Sequence, residues 1–184
     1  MKDAYKADVV LKAVLDELDE VREKDVRQAS HRLHPAMIKL GLQPAVRALA
    51  RNFEGGLDLT IIPSHAFLEL DEMSNIPEEV SLAAYKLIEE SLNNVVKHAR
   101  ASHVDIRLDV SNDSQLTVAV SDDGRGFNTD AATPGLGLGV ISASMVIVGG
   151  NWDIKSIVGQ GTTLRASIPL NPKNTEEPVK MARR

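Results

Sequence analysis

The sequence predicts an α/β (α+β) sandwich, in which a mostly antiparallel mixed sheet carries helices on one face and follows a long N-terminal helix. Two pairs of segments alternate between apolar and polar residues, and each pair is joined by a short polar or glycine-rich turn, which predicts two β-hairpins. The helical segments do not alternate with the strands one by one, as they would in a doubly wound parallel sheet. No internal repeat is present.

The N-terminal segment, residues 3–33, carries apolar residues at spacings of four and three, which predicts one long amphipathic helix. Its apolar series is Val10, Val14, Leu18 and Val21. The pattern fits either a helix packed on its own domain or a coiled-coil-like seam with a second copy, and the residues leave both open. Pro35 breaks or kinks this helix near His34.

Three further elements precede the first hairpin. A short second helix has Pro44 in its first turn, carries Ala45 and Leu49, and stops at "EGG". Residues 57–64 alternate as a strand does. A third helix has Pro77 in its first turn, followed by two glutamates near the positive end of the helix dipole, and runs to about residue 98.

The C-terminal half contains the two hairpins. The first joins "HVDIRLDV" to "QLTVAVSDDG" through "SNDS", and the second joins "WDIKSIV" to "TTLRASIPL" around "GQG". Between them, a Gly-, Thr- and Pro-rich loop over 124–135 leads into the apolar helix "GLGVISASMVIVGG". The polar tail over 172–184 lacks periodicity, which predicts disorder.

Composition excludes several classes of function. The formal charge of 21 − 26 = −5 argues against a nucleic-acid surface as the main partner. The absence of cysteine excludes disulfides and thiolate metal sites. No apolar run approaches the roughly 18 residues that span a bilayer, and the N-terminus lacks a signal peptide's apolar region. We therefore expect a cytoplasmic chain without membrane contact, with any membrane part of the intact protein lying outside this sequence.

The helix containing "EESLNNVVKHARAS" carries an unusual polar stripe. With Glu90 at zero on a helical wheel, Asn94 lies at about 40° and Lys97 at about −20°. The opposite side, predicted to face the sheet, consists of Ala84, Tyr85, Ile88, Leu92, Val95 and Val96. Such a stripe is usually a solvated face with Glu–Lys pairing, but its oxygens also suit a magnesium ion already carried by phosphates. Lys97 could then meet the phosphate charge.

Three other motifs follow in order: "SDDGRGF" over 121–127, "GLGLG" over 135–139 and "GQGTT" over 159–163. Each alone is typical of a turn. Glycines opening a helix also leave its free N–H groups to face an anion, which the helix dipole favours. Neither a Walker loop nor a dinucleotide fingerprint is present, because no "GK[ST]" follows and no parallel βαβ unit surrounds the glycines.

Together and in this order, the four motifs resemble the ATP-binding (Bergerat-fold) domain of the GHKL superfamily, over roughly residues 57–170. That superfamily contains sensor histidine kinases, type II topoisomerase ATPases, Hsp90-type chaperones and mismatch-repair ATPases. The resemblance implies a partial second dimerisation helix with a linker helix over 1–53, the ATP-binding catalytic domain over 54–171, and the tail over 172–184.

The resemblance also implies roles for the residues at the purine. Asp122 accepts a hydrogen bond from the adenine amino group, and Thr162 supports it directly or through water. Gly124 and Gly126 shape the adenine floor.

At the phosphates, the resemblance implies that Asn94 ligates magnesium and that Glu90 helps to hold that ion or its water, which makes these two the catalytic pair. Lys97 and His98 contact phosphate or ribose. Gly135, Gly137 and Gly139 form the hinge of a lid over the phosphates, and these glycines together with Leu136 and Leu138 bind ATP.

Two segments identify the branch. "SHRLHPAMIKLGLQPAVRAL" and "EESLNNVVKHARASHVDIRL" resemble histidine kinases similar to the nitrate and degradative-enzyme sensors, and the stretch between residues 127 and 135 is too short for a long lid. The chain departs from that branch where Ala143 and Ser144 stand, since an acidic–basic pair is usual there. In that branch an acid normally follows the phosphorylated histidine, whereas Arg32 follows His31 and a proline follows His34. We therefore expect the acceptor helix to lie upstream of this chain.

The resemblance implies the ATP-binding catalytic fragment of a two-component sensor histidine kinase. It would use ATP and Mg²⁺ to phosphorylate a histidine on a dimerisation helix, for relay to the receiver domain of a response regulator. A homodimer is possible. The alternatives are an anti-sigma-factor serine kinase, which would lack the "SHRLHP" junction, a non-catalytic nucleotide-binding regulatory module, and a mismatch-repair-like clamp.

Overall fold

The structure is a computed structural model that describes four stretches of the chain, which are 37–53, 55–111, 114–129 and 136–171. Several predictions concern residues outside these stretches. They are the helix over 3–33, His31, His34, the kink at Pro35, Gly135 and the tail over 172–184.

Nine helices and strands and one π-helical turn occupy the described residues. In chain order they are α1 (Leu42–Arg51), β1 (Asp58–Pro63), α2 (His65–Glu72), α3 (Glu78–Asn94), the π turn (Val95–Ala99), β2 (His103–Ser111), β3 (Gln115–Asp122), α4 (Leu136–Val148), β4 (Asn151–Ile157) and β5 (Gly161–Pro169). None of the helices in these stretches is both long and apolar enough to cross a bilayer.

The five strands form one sheet in the order β1-β2-β3-β5-β4. β1 runs parallel to β2, and the other three pairings are antiparallel. The two predicted hairpins are confirmed as β2–β3 and β4–β5, which pair along their whole lengths. The sheet is therefore mixed and mostly antiparallel, as the sequence predicts.

One face of the sheet is buried and the other is open to solvent. On β2, Val104, Ile106 and Leu108 are fully buried, whereas Arg107 and Asp109, which point the other way, are exposed. α3 packs on β3 and β5, and α4 packs on β4, β5 and α3. This arrangement confirms the predicted α/β sandwich.

Two elements at the start of the unit were predicted incompletely. α1 begins at Leu42 and ends at Arg51, one turn before the glycines that were expected to stop it. α2 lies where no element was predicted; it starts at Ser64, whose Oγ accepts a hydrogen bond from the Phe67 N–H at 3.2 Å. The compact unit that contains the sheet starts at Ile38 and so includes α1. The division of the chain at residue 54 stays a prediction.

The helix predicted to run to residue 98 is α-helical only to Asn94, and the remaining turn is π-helical. The prediction that Val96 faces the sheet is wrong, because this side chain is 62% exposed. α3 is covered by α1 and α4 as well as by the sheet. Its buried arc therefore centres near 120° on the wheel described above, and Val96, at about 240°, falls outside it.

Candidate functional site

A cavity of about 380 Å³ lies between the buried face of the sheet, the end of α3 with its π turn, and the start of α4. Seven of the residues singled out in the sequence line it: Asn94, His98, Asp122, Gly126, Gly137, Leu138 and Thr162. They come from four segments that are far apart in sequence. The structure therefore brings all four motifs to one cavity.

The floor of the cavity consists of two rows of residues that lie opposite one another on β3, β5 and β4. The first row is polar and contains Asp122 and Thr162, which line the cavity, and Ser156, which lies opposite Thr162 on β4 and outside the lining. The second row, two residues further into the sheet, is apolar and contains Val120, Leu164 and Ile154. A flat, largely apolar ligand with polar groups at one edge fits such a floor.

Asp122 is the half-buried carboxylate of the polar row. Its Oδ1 accepts a hydrogen bond from the Gly124 N–H at 2.8 Å. Burial raises the pKa of Asp122 above its usual value, and the negative charge of Asp123 adds to this effect. The backbone N–H groups of Gly124 and Thr162 act in the opposite direction because they stabilise the ionised form. The side chain keeps lone pairs with which to accept a hydrogen bond from a ligand.

The neighbouring Asp123 has a different role. It accepts hydrogen bonds from the Ser102 hydroxyl at 2.5 Å, from the Ser102 N–H at 2.8 Å and from the His103 N–H at 2.9 Å. These donors lower the pKa of Asp123 to about 2. The carboxylate thus holds the turn before β2, and only the first aspartate of "DDG" faces the cavity.

Two glycines let the loop after β3 pass close to its neighbours. Gly124 is buried, and a Cβ at this position would collide with the Ala99 carbonyl and the Asp122 carboxylate. Gly126 has φ 57°, and a Cβ there would collide with the Ile157 backbone carbonyl. Gly126 lines the cavity, whereas Gly124 lies beneath Asp122 and supports it.

The same loop is attached on both sides by its backbone. The Arg125 N–H donates to the Ala99 carbonyl at 2.8 Å, and the Arg125 carbonyl accepts from the Gly159 N–H at 2.7 Å. The Phe127 N–H donates to the Ser156 Oγ at 2.8 Å. Arg125 and Phe127 also line the cavity, although no role was predicted for either from the sequence. Their positions depend on this attachment, which no local pattern reports.

The helix side of the cavity consists of Ser91, Asn94, Val95, His98 and Ala99. These residues lie between about 40° and 180° on the wheel, within the buried arc. Asn94, at about 40°, belongs both to this face and to the polar stripe with Glu90 and Lys97. Lys97 is exposed and does not line the cavity. The cavity therefore borders the side of the helix that lies nearer the sheet, where Asn94 reaches it.

The first turn of α4 closes the remaining side. Gly137 and Leu138 line the cavity, Gly139 is exposed with open space around it, and Leu136 begins the helix. The Glu90 carboxylate lies directly against Gly137, so that a side chain at this position would require the Glu90 side chain to move. The free N–H groups and the dipole of a helix start favour an anion here.

At the positions where α4 departs from the branch pattern, Ala143 is exposed and the buried Ser144 donates its hydroxyl proton to the Val140 carbonyl at 2.9 Å. Ser144 is therefore occupied within its own helix.

The oxygen donors at this end of the cavity are too few to hold a metal ion without further ligands. Within the described stretches, no group of three or more His, Asp or Glu side chains could hold a metal ion. Asn94 and Glu90, one helical turn apart at the cavity's edge, would supply one amide oxygen and one carboxylate. This donor set fits Mg²⁺ that arrives with phosphate and water oxygens, because Mg²⁺ is usually held by few protein ligands.

The part of the chain that forms this cavity is similar to known proteins. Residues 79–172, more than half of the chain, match the family described as "Histidine kinase-, DNA gyrase B-, and HSP90-like ATPase". The chain is 30% identical over 143 residues to the signal transduction histidine-protein kinase/phosphatase DegS of Brevibacillus brevis, covering 77% of this chain and 35% of the relative. It is 28% identical over 149 residues to the oxygen sensor histidine kinase NreB of Staphylococcus carnosus, covering 79% and 42%.

A solved structure is also similar. The histidine kinase domain of the Erythrobacter litoralis EL346 blue-light activated histidine kinase matches with a TM-score of 0.57 and 27% identity, covering 70% of this chain and 59% of that domain. The chain spans between a third and just over two fifths of the two curated relatives' lengths. These matches confirm the resemblance inferred from the four motifs. The chain belongs to the family of histidine kinase-, DNA gyrase B- and HSP90-like ATPases, whose members use nucleotides.

Proposed function

We propose that this chain is the ATP-binding catalytic fragment of a two-component sensor histidine kinase. The observation that carries the proposal is a single cavity that joins a half-buried carboxylate, Asp122, to an amide, Asn94, and to the start of α4. The two curated relatives and the similar solved structure are all named histidine kinases.

At one end of the cavity, Asp122 and Thr162 would bind the edge of adenine. The ionised carboxylate accepts a hydrogen bond from the exocyclic amino group, which places a charge-assisted bond at the purine. The ring would lie over the apolar row of Val120, Leu164 and Ile154. Gly126 keeps the neighbouring loop close without a side chain that would fill the space.

At the other end, the triphosphate would lie between the π turn and the start of α4. Asn94 and Glu90 would hold Mg²⁺, which supplies neutralisation of the phosphate charge when it is bound. His98 lines the cavity and would contact ribose or phosphate. Lys97, exposed one turn beyond Glu90 and Asn94, would attract the phosphates from outside the lining.

The protein's contribution to catalysis would be positioning and electrostatic stabilisation of phosphoryl transfer. The bond between the γ-phosphorus and the bridging oxygen breaks, a phosphorus–nitrogen bond to the acceptor histidine forms, and ADP leaves. The partners are therefore the dimerisation helix of the same kinase and, after it, the receiver domain of a response regulator. The cytoplasm is the compartment in which such a fragment would meet ATP.

Mixing the chain with the acceptor helix of a longer relative and γ-labelled ATP tests this proposal. We expect label on the acceptor helix, none on the chain alone, and loss of transfer in Asn94→Ala. The label should be lost in acid, because a phosphoramidate is acid-labile. An acid-stable label would indicate a serine kinase instead. Substantial label on His31 or His34 would contradict the prediction that the acceptor lies upstream, and failure to bind ATP would leave a non-catalytic regulatory module.

A further inference from the structure

Ser156 lies at the outer end of the polar row, and its Oγ is within hydrogen-bond distance of three groups. Its Oγ accepts a hydrogen bond from the Phe127 N–H at 2.8 Å. The same Oγ lies 3.1 Å from the Gly161 carbonyl oxygen and 2.9 Å from the Thr162 Oγ1. Ser156 is directly opposite Thr162, which is directly opposite Asp122.

The number of hydroxyl protons determines which residue donates in the hydrogen bond between Ser156 and Thr162. A serine hydroxyl has one proton and two lone pairs. The Gly161 carbonyl can only accept, so the Ser156 hydroxyl donates its hydrogen bond to it. One lone pair of the Ser156 Oγ accepts from the Phe127 N–H. The second lone pair of the Ser156 Oγ then accepts a hydrogen bond from the Thr162 hydroxyl. Thr162 is left with lone pairs only, on the side where it lines the cavity.

We infer that Ser156 is a positioning residue, which fixes the Thr162 hydroxyl so that it presents an acceptor beside the Asp122 carboxylate. The inference rests on the proposed function, because it concerns the purine end of the nucleotide site. Two neighbouring acceptors favour a purine edge that carries an amino group, directly or through a donating water. By fixing the Thr162 acceptor, Ser156 would contribute to the affinity for ATP.

A matched pair of hydroxyls lies one residue away on the other face of the sheet. Ser121 Oγ and Thr163 Oγ1 are 2.9 Å apart and directly opposite each other on β3 and β5. Neither residue lines the cavity. Ser121→Ala therefore removes the same chemical group from the same sheet without altering the purine end.

The first test measures the ATP affinity of the full chain by calorimetry, with thermal unfolding of each variant recorded alongside. Ser156→Ala should weaken ATP binding about three- to tenfold, the loss expected for one hydrogen bond. Ser156→Thr keeps the hydroxyl and should restore the ATP affinity, whereas Ser121→Ala should leave it unchanged. Ser156→Cys, which keeps the size but bonds weakly, should reproduce the loss if the alanine variant does not fold.

A double-mutant cycle with Thr162→Val separates positioning from a general structural effect. If Ser156 acts through Thr162, Ser156→Ala should cost little further ATP affinity in the Thr162→Val background. Equal losses of ATP affinity in both backgrounds, or an unchanged ATP affinity in Ser156→Ala, would overturn the inference while the proposed function stands. A wild-type chain that binds no ATP would overturn both.

Discussion

Asp122 and Asp123 are adjacent carboxylates whose surroundings give them opposite pKa shifts. If Asp122 accepts the adenine amino group, Asp122→Asn should weaken ATP binding about ten- to a hundredfold, because it removes a charged acceptor. Since burial raises the pKa of Asp122, its contribution to binding should decline at a higher pH than that of an ordinary aspartate as the solution is acidified. Calorimetry across a pH series measures both effects. Undiminished binding by Asp122→Asn would refute the assignment.

Asp123 should affect stability and leave binding unchanged. Its folded-state pKa of about 2 lies below the ordinary value of 3.8, so its stabilising contribution is present above pH 3.8 and is lost as the pH falls toward 2. The thermal midpoints of the wild type and Asp123→Asn should therefore differ at neutral pH and converge on acidification. A difference that is independent of pH would show that its hydrogen bonds do not favour the ionised form.

His103 lies on the open face of the sheet, away from the cavity. Its Nε2 lies 3.1 Å from an Asp105 carboxylate oxygen and its Nδ1 lies 3.0 Å from an Asp58 carboxylate oxygen, and these bonds raise the pKa of the imidazole above 6.5. A raised pKa gives stability that is fully present below pH 6.5 and is lost as the pH rises through the folded-state pKa. We expect His103→Gln to lower the thermal midpoint at pH 6 and to have little effect at pH 9. ATP affinity should be unchanged at both.

At the scale of elements, α1 depends on a carboxylate from another helix. The buried Asp71 of α2 accepts hydrogen bonds from the Leu42 N–H at 2.7 Å and the Gln43 N–H at 2.9 Å, at the start of α1. Asp71→Ala should lower the free energy of unfolding by about 2–3 kcal/mol, because one buried and one half-buried N–H donor lose a charged acceptor. Ser64→Ala removes the one, longer hydrogen bond that caps α2 and should cost about 1 kcal/mol. Urea titration of both variants measures the two costs. Equal costs would contradict this account of Asp71.

The loop after β3 gives a second comparison between elements. Gly126 and Gly159 both have positive φ, of 57° and 81°, but only Gly126 is crowded by a neighbouring backbone. Gly159→Ala should cost about 1–2 kcal/mol from backbone strain alone. Gly126→Ala should cost more and should also weaken ATP binding, because the loop must move away from β4. Similar unfolding curves for the two variants would show that the close approach is unimportant.

How much of the fold the sequence predicts depends on whether the signal is local. The hairpins were predictable because their alternation and turn residues are adjacent in the chain. α2 was missed because its eight residues are too few to show a helical period. The exposure of Val96 was missed because a helical wheel does not report which neighbours cover a helix. The cap by Asp71 joins residues 28 and 29 positions apart, so no window of sequence contains it.

The same distinction applies to the cavity. Asp122 ends β3 and Thr162 lies at the start of β5, each beside a glycine-rich turn. These local patterns made both residues predictable from the sequence. Ser156 and Phe127 meet only because the register of β4 against β5 places Ser156 under the loop. An error of one residue in that register would have turned Ser156 to the open face.

At the scale of the whole molecule, the sheet and α3 bring together residues from the two ends of one cavity. Mg–ATP that occupies both ends should stabilise the folded state. At a hundredfold excess over the dissociation constant, the gain should be about 2.7 kcal/mol. Thermal unfolding with and without Mg–ATP measures this gain, and Asn94→Ala should reduce the part that depends on magnesium. A gain independent of magnesium would contradict the role proposed for Asn94.

The central claim is that one nucleotide contacts Asp122 and Asn94 together. Titration of the isotopically labelled chain with Mg–ATP, followed by amide-resolved NMR, tests it most directly. We expect the signals of Asn94, Gly124, Gly137 and Thr162 to shift with one common dissociation constant, while those of Asp105 and Arg107 on the open face stay unchanged. Shifts confined to one end of the cavity, or centred on the open face, would contradict the claim.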